Sequence, residues 1–208
     1  MKYFILAFIL SFTMVQAAQI TQTHVTPSAL TNFTDTGIVF NKFDASLGNL
    51  NWVKFIVDGS MSGSGSVTNN GTSSASFTWT LSSDLILMYG TTELAKASPG
   101  FSRTVTLAPS ASDSHSDSAS QIKTTTLVDG DMTPYVGIGT FSVDLNAVGN
   151  INISGASNIT SDLSTNAGAT VTVIYDYQVY QSEPTVPEPA SLFALGLGIF
   201  LLTSYLRK

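Results

Sequence analysis

Residues 76–81 read Ser-Phe-Thr-Trp-Thr-Leu and alternate a polar with an apolar side chain at every step. Successive side chains of a β-strand point to opposite faces, so Phe77, Trp79 and Leu81 would share one buried face. The same period of two recurs in Val53, Phe55 and Val57; Val105 and Leu107; Phe141, Val143 and Leu145; and Val171, Val173, Tyr175, Tyr177 and Val179. Strands with one dry and one wet face are typical of antiparallel sheets. The sequence therefore predicts an all-β fold, an antiparallel β-sandwich of about eight to ten strands.

Composition narrows the classes of function. Charged residues make up 11% of the 208 residues, and the formal net charge is −6 at pH 7. A nucleic-acid or anionic-membrane partner would require a basic patch, so neither is expected. The chain contains no cysteine, which excludes disulfides, thiolate zinc sites and cysteine nucleophiles. The apolar core alone must then stabilise the domain, and more than about 150 residues suffice for that.

Turn-forming residues divide the predicted strands. Between Ala108 and Ser120 the chain has almost no apolar bulk, which predicts a mobile loop or a polar edge joining two strands. A brief helix is expected only near Asp44–Leu47 or Thr91–Ala95. Turns are predicted at Asp58-Gly59, Asn69-Asn70-Gly71, Ser98-Pro99-Gly100, Asp129-Gly130 and Gly149-Asn150.

The first 17 residues have the three parts of a secretory signal peptide. Lys2 supplies the positive start, Tyr3–Phe12 form an apolar stretch, and Val15-Gln16-Ala17 form a small-residue cleavage site. We expect a signal helix in residues 1–17, export through the Sec translocon, and cleavage by signal peptidase after Ala17. The Ser/Thr-rich β-sandwich domain is then expected to occupy residues 18–183.

The last 25 residues form a second hydrophobic signal. Val186-Pro187-Glu188-Pro189 interrupts regular structure, because each proline lacks an N–H group and restricts the residue before it. Ala190–Leu206 then runs without a charge until Arg207-Lys208. A helix over 190–206 would be about 25 Å long, the short end of what crosses a bilayer. The basic end predicts a cytoplasmic C-terminus, so residues 184–208 are interpreted as a transmembrane tail.

This tail resembles the PEP-CTERM sorting signal of Gram-negative bacteria. The resemblance lies in Pro187-Glu188-Pro189, in an apolar helix containing Gly196-Leu197-Gly198, and in the terminal Arg207-Lys208. It implies that Pro187, Glu188 and Pro189 are the sorting motif, that Arg207 and Lys208 are the membrane stop, and that an exosortase cuts the tail. It further implies an inner-membrane-anchored precursor that reaches the cell surface or the extracellular space, often together with exopolysaccharide.

The domain itself resembles the choice-of-anchor E family. Phe43–Leu50 reads Phe-Asp-Ala-Ser-Leu-Gly-Asn-Leu, and a strand ending in Gly59-Ser60-Met61-Ser62-Gly63 follows. Gly137-Ile138-Gly139-Thr140-Phe141 resembles the family's late strand, and a tyrosine-rich strand precedes the tail. The resemblance implies a Ser/Thr-rich β body that different members join to different sorting tails. It implies no activity.

Candidate catalytic and metal-binding residues are few. His24 and His115 are the two histidines, and both are interpreted as solvated surface residues, His115 beside Asp113 and Ser114. Loop carboxylates suit calcium, which leaves Asp129-Gly130-Asp131 and the run Asp113–Asp117 as candidates, with turn formation as the expected role. For a carboxylate pair, Glu93 is the only glutamate in the predicted domain apart from Glu183 in the linker. No catalytic residue, no metal site and no cofactor is therefore predicted.

Exposed aromatic side chains could instead form a platform for sugar stacking. The candidates are Trp52, Trp79, Tyr89, Tyr135, Tyr175, Tyr177 and Tyr180, with core packing favoured for Trp79 and for the last strand. The leading hypothesis is a non-enzymatic envelope or biofilm-matrix protein. A carbohydrate-binding, adhesin-like module for exopolysaccharide is the alternative, and a hydrolase acting on surface polymers is a weaker one.

Overall fold

The computed structural model describes residues 16–155 and 158–180. These residues form nine β-strands and one short 3₁₀ helix, Asp129–Tyr135. The predicted all-β class and the strand number are confirmed. The strands are β1 Ala17–Leu30, β2 Phe33–Asn41, β3 Gly48–Asn69, β4 Ala75–Tyr89, β5 Thr92–Ala97, β6 Gly100–Leu107, β7 Ser112–Leu127, β8 Thr140–Gly155 and β9 Ile159–Val179.

The strands form two antiparallel sheets packed as a sandwich. The first sheet has the order β1-β9-β3-β7, so the last strand of the domain lies in the middle of it. In the second sheet the order is β2-β8-β4, and both β5 and β6 pair with the remaining side of β4. Ser98-Pro99-Gly100 is therefore not a reversal of direction. It interrupts one long edge strand, where a proline without an N–H group is tolerated.

The alternating apolar residues fill the space between the sheets, as the sequence pattern predicts. Phe77, Trp79 and Leu81 of β4 are completely buried, and so are the inward residues at the centres of β3 and β9. Tilted and edge-to-face aromatic pairs lie at one end of this core, including Phe55 against Tyr135 with ring centroids 5.1 Å apart. The partners on the outer faces are mainly serine and threonine.

Besides Ser98-Pro99-Gly100, two further predicted turns are wrong. Asp58-Gly59 lies in the middle of β3 and Gly149-Asn150 in the middle of β8. A Cβ atom placed on Gly59 would come within 2.6 Å of Leu85 Cδ1 in the facing sheet, and one on Gly149 would meet the Thr165 hydroxyl at 2.8 Å. These glycines serve close approach of neighbouring groups, which a sequence pattern does not distinguish from a turn.

The sequence of the segment Ala108–Ser120 is open to two predictions, a mobile loop or a polar edge. Most of it belongs to β7, a polar strand at the edge of the first sheet, so the polar edge is the correct prediction. The brief helix expected near Thr91–Ala95 is wrong, because Thr92–Ala97 is strand β5. Near Asp44–Leu47 the chain makes a turn, in which the Leu47 N–H donates to the Asp44 carbonyl.

Asn69 joins two loops at the end of the sandwich where β3 ends. Its side chain is buried, and its amide nitrogen donates to the carbonyl oxygens of Ser73 and Leu107 at 2.9 and 3.0 Å. Its amide oxygen accepts from the Gly71 N–H at 2.9 Å. The Asn69 N–H donates to the Ala111 carbonyl, and the Asn69 carbonyl accepts from the Ser110 N–H. One side chain thus holds the β3–β4 turn against the β6–β7 connection.

Replacing this asparagine tests its structural role. We expect Asn69→Ala to lower the free energy of unfolding by about 1–3 kcal/mol, because it leaves buried backbone groups without partners. Urea denaturation followed by tryptophan fluorescence measures this loss. Asn70→Ala is the matched control: its exposed amide bonds Thr160, so we expect a loss below about 1 kcal/mol. Equal losses for the two variants would contradict the assignment.

Candidate functional site

One open side of the sandwich lies between the edge strands β1 and β2, and a carboxylate bridges it. Asp35 of β2 accepts a hydrogen bond from the Thr26 hydroxyl at 2.6 Å, and the His24 Nε2 atom lies 3.1 Å from the same carboxylate. The Thr26 hydrogen bond lowers the pKa of Asp35 below its ordinary value; partial burial opposes this, and the neighbouring His24 adds to the lowering. Asp35 is therefore held ionised in a position that ties the two sheets together.

The geometry at His24 does not form a nucleophilic relay. In such a relay a hydroxyl donates to the imidazole that will remove its proton. Here the Thr26 hydroxyl donates to the carboxylate of Asp35 instead. The prediction that His24 is simply solvated also needs correction, because this half-exposed ring joins the bridge between the sheets.

The opposite open side, between β6 and β7, is closed by an ion pair. Arg103 binds Asp113 through two hydrogen bonds, Nε to Oδ2 at 2.7 Å and Nη2 to Oδ1 at 2.9 Å. This pairing with Arg103 lowers the pKa of Asp113. His115, two residues further along β7, packs edge-on against Trp79 and Phe101, with ring centroids 6.1 and 6.4 Å apart. His115 is thus a packing residue at this edge.

The candidate calcium ligands do not come together. Asp113 is occupied by Arg103, and Asp117 lies four positions further along the same strand, a spacing of about 13 Å. Asp129 and Asp131 lie in the first turn of the 3₁₀ helix. Glu93, the candidate for a carboxylate pair, lies exposed on β5 opposite Met88. Within residues 16–155 and 158–180, no three His, Asp or Glu side chains are grouped so that they could hold a metal ion.

The aromatic candidates do not form an exposed platform. Trp79 and Tyr175 are completely buried, and only 2% of the surface of Tyr135 is exposed. Burial raises the pKa of Tyr135 to about 12 and that of Tyr175 further, and the Tyr175 hydroxyl donates to the Asn41 carbonyl at 2.7 Å. Trp52 lies on the outer face, but the Lys54 ammonium sits 4.4 Å from its ring centroid. The prediction that Trp79 and Tyr175 pack in the core is confirmed.

The outer face of the first sheet is rich in hydroxyl groups. Ser62 and Ser64 of β3 lie opposite Ser118 and Ser116 of β7 and border a shallow depression of about 450 Å³. Asp117 is the one ionisable residue among those that line it. The residues that line this depression are thus mainly small and polar, as the sequence pattern predicts for an exposed sheet surface.

Both ends of the described domain lie at the same end of the sandwich. Ala17, the predicted cleavage residue, is the first residue of β1 and pairs with Gln178 near the end of β9. The Val179 N–H also donates to the Gln16 carbonyl at 3.2 Å. We call this end, where Ala17, Gly48 and Val179 meet, the terminal end of the domain.

Two of the segments that carry the second family resemblance, Phe43–Leu50 and Gly137–Phe141, meet at the terminal end, whereas Gly59–Gly63 lies in the middle of β3. The Phe43 N–H donates to the Tyr135 carbonyl, and the Gly137 N–H donates back to the Phe43 carbonyl at 2.9 Å. Gly139 accepts from the Lys42 N–H, and both Gly137 and Gly139 have positive φ, which glycine adopts without strain. Phe43–Leu50 and Gly137–Phe141 therefore form one loop cluster, although the choice-of-anchor E relationship itself stays a prediction.

The bridge at Asp35 generates a prediction about pH. We expect Thr26→Val to raise the pKa of Asp35 and to lower the free energy of unfolding by about 1 kcal/mol at pH 7, because a hydrogen bond to a charged group is lost. Because the folded-state pKa is the lower one, this stability is present above the unfolded-state pKa of about 3.9 and disappears as pH falls through the folded-state value. NMR titration of the carboxyl carbon and urea denaturation at several pH values measure both effects.

Thr23→Val is the matched control for this change, because Thr23 lies on β1 with its side chain exposed. We expect it to leave the pKa of Asp35 unchanged. A stability difference between wild type and Thr26→Val that did not shrink at low pH would contradict the assignment.

The predicted sorting residues Pro187, Glu188, Pro189, Arg207 and Lys208 and most of the signal peptide lie outside the described residues, as do the helices expected at both ends of the chain. None of the helices formed by the described residues has the length and apolar character needed to span a bilayer.

Comparisons with solved structures find chains of infectious bursal disease virus. The Gx strain chain is 11% identical, with 93% of this chain and 54% of that chain covered and a TM-score of 0.19. For the Gt strain the identity is 11%, the coverage 93% and 54%, and the TM-score 0.15. A chain of the T13 particle of the same virus is 10% identical, with 78% of this chain and 40% of that chain covered and a TM-score of 0.16. This chain spans about half the length of the first two, and TM-scores this low support no argument.

Comparison with protein families gives a specific result for the tail. No curated protein matches the chain. Residues 185–208, however, match the PEP-CTERM protein-sorting motif, and this range contains Pro187-Glu188-Pro189, the apolar stretch and Arg207-Lys208. The protein therefore carries a PEP-CTERM protein-sorting motif at residues 185–208.

Proposed function

We propose that this protein is a non-enzymatic envelope or matrix protein of a Gram-negative bacterium. In this proposal the Sec translocon exports it, signal peptidase cuts after Ala17, and the segment 190–206 holds the precursor in the inner membrane. An exosortase then cuts at Pro187-Glu188-Pro189, and the domain reaches the cell surface or the biofilm matrix. The observation that carries the proposal is the PEP-CTERM match at residues 185–208, which follows closely on a folded domain whose last strand ends at Val179.

The position of the motif suits proteolysis. Between Val179 and Pro187 lies a short stretch of seven residues, which is long enough to separate the folded domain from the membrane segment. Prolines at 187 and 189 disfavour helix and favour extended backbone around Glu188. In this proposal the exosortase binds the backbone around Glu188 in an extended form.

The ionisable side chains that could take part in catalysis or binding make structural contacts instead. His24 and Asp35 link two strands, Arg103 and Asp113 link two others, and His115 packs on Trp79. Of the aromatic candidates for sugar stacking, Trp79 and Tyr175 are completely buried in the core and Tyr135 is buried. These contacts favour a structural matrix role over the adhesin-like and hydrolase alternatives.

Removal and substitution of the motif test the proposal. We expect the wild-type protein to reach the cell surface or medium without its tail, with a new C-terminus near Glu188 in mass spectrometry. Deleting residues 187–208 should abolish this surface location, because the recognition motif and the membrane segment are both lost. Glu188→Gln should accumulate as an uncut, membrane-bound precursor.

Glu183→Gln is the matched control, since it removes an equal charge from the linker outside the sorting motif. We expect it to be processed like wild type. An unchanged surface location after deletion of residues 187–208 would overturn the proposal.

A further inference from the structure

Apolar side chains are exposed at the terminal end of the domain. Ile138 is 98% exposed, and Leu47, Val179 and Tyr180 are between 37% and 55% exposed. Ile138 stands between Gly137 and Gly139, both at positive φ, at the tip of a loop. A large apolar side chain displayed on such a tip has no contact within the described domain that explains it.

Backbone contacts bring these four side chains to one end of the molecule. The loop that carries Ile138 is bonded on both sides to residues 42 and 43. Phe43 leads through the turn containing Leu47 into Gly48, which pairs with Val179. The Tyr180 hydroxyl donates to Asn49 Oδ1 at 3.1 Å. We call Leu47, Ile138, Val179 and Tyr180 the apolar tip.

The chain itself indicates what faces the apolar tip. Six residues lie between Tyr180 and Pro187, so these two residues are at most about 25 Å apart when the chain is fully extended. The apolar segment 190–206 follows at once. Ala17, after which the signal peptide is expected to be cut, also lies at this end, because it pairs with Gln178. The C-terminal segment therefore brings lipid to the same end of the sandwich that displays the apolar side chains.

We propose that the apolar tip is a membrane-contact surface, which rests the precursor domain on the lipid–water interface before its tail is cut. This inference rests on the membrane anchoring in the proposed function. Isoleucine, leucine and valine gain by leaving water, and tyrosine is enriched at bilayer interfaces. Tethering by a short linker keeps the local concentration of lipid high, so a contact of four side chains suffices.

The acidic character of the domain indicates which lipid headgroup the apolar tip would contact. Asp44 lies in the turn that contains Leu47, Asp131 lies near Tyr135, and the chain carries more acidic than basic residues. The partner surface is therefore zwitterionic phospholipid, and anionic lipid is expected to weaken the contact through charge repulsion. The opposite end, with the Asn69 and Asn70 turn, points away from the bilayer.

Site-specific fluorescence tests this arrangement, and the lack of native cysteine makes single-cysteine labelling unambiguous. Full-length Ile138→Cys, labelled with an environment-sensitive dye, is reconstituted in phosphatidylcholine vesicles that contain a nitroxide-labelled lipid. We expect a blue-shifted emission and strong quenching by the nitroxide lipid. Thr72→Cys, in the exposed β3–β4 loop at the opposite end, is the matched control and should show water-exposed emission and background quenching. Adding phosphatidylglycerol should reduce quenching at position 138.

Three outcomes would overturn the inference, and flotation of the vesicles separates them. Co-flotation with water-exposed emission at position 138 removes the membrane contact and leaves the proposed function standing. Shielding of the dye from aqueous quenchers without quenching by nitroxide lipid assigns the apolar tip to a protein contact instead. Failure of the full-length chain to float with vesicles overturns the membrane anchoring and this inference together.

Discussion

The pairing of β3 with β9 is the interaction on which the rest of the structure depends. These two long strands run antiparallel from Gly48 and Val179 at one end to Asn69 and Ile159 at the other. Their inward side chains form one wall of the core, and their outward side chains form the hydroxyl-rich face. Because β1 pairs with the free side of β9 and β7 with the free side of β3, the whole first sheet is assembled on this pair.

The period-two pattern predicts the core well, because burial of one strand face imposes it directly on the sequence. It fails at positions where a glycine faces the other sheet or a neighbouring strand. Gly59 and Gly149 are predicted as turns but lie within strands, at places where a Cβ atom would require the side chains of Leu85 or of Thr31 and Thr165 to shift. The polar run before Ser120 resembles a loop in sequence for a different reason. An edge strand with two polar faces has no hydrophobic alternation to reveal it.

The functional signals divide in the same way. Pro187-Glu188-Pro189 and the apolar segment after it are contiguous in sequence, so they are recognisable without a structure, and the family comparison finds the same range. Asp35 and Arg103 could not have been identified as bridging residues. Their partners Thr26 and Asp113 lie in neighbouring segments of the chain, but in opposite sheets, and only the fold places them within hydrogen-bonding distance.

The central position of β9 constrains how this domain can be exported. Strands β1, β3 and β7 emerge from a translocation channel earlier, yet the first sheet has a gap at its centre until residues 159–179 arrive. A sheet built on such distant pairings cannot close early. The domain therefore stays threadable until nearly all of it has crossed, and the last strand of the domain to arrive is the one that locks the tertiary structure.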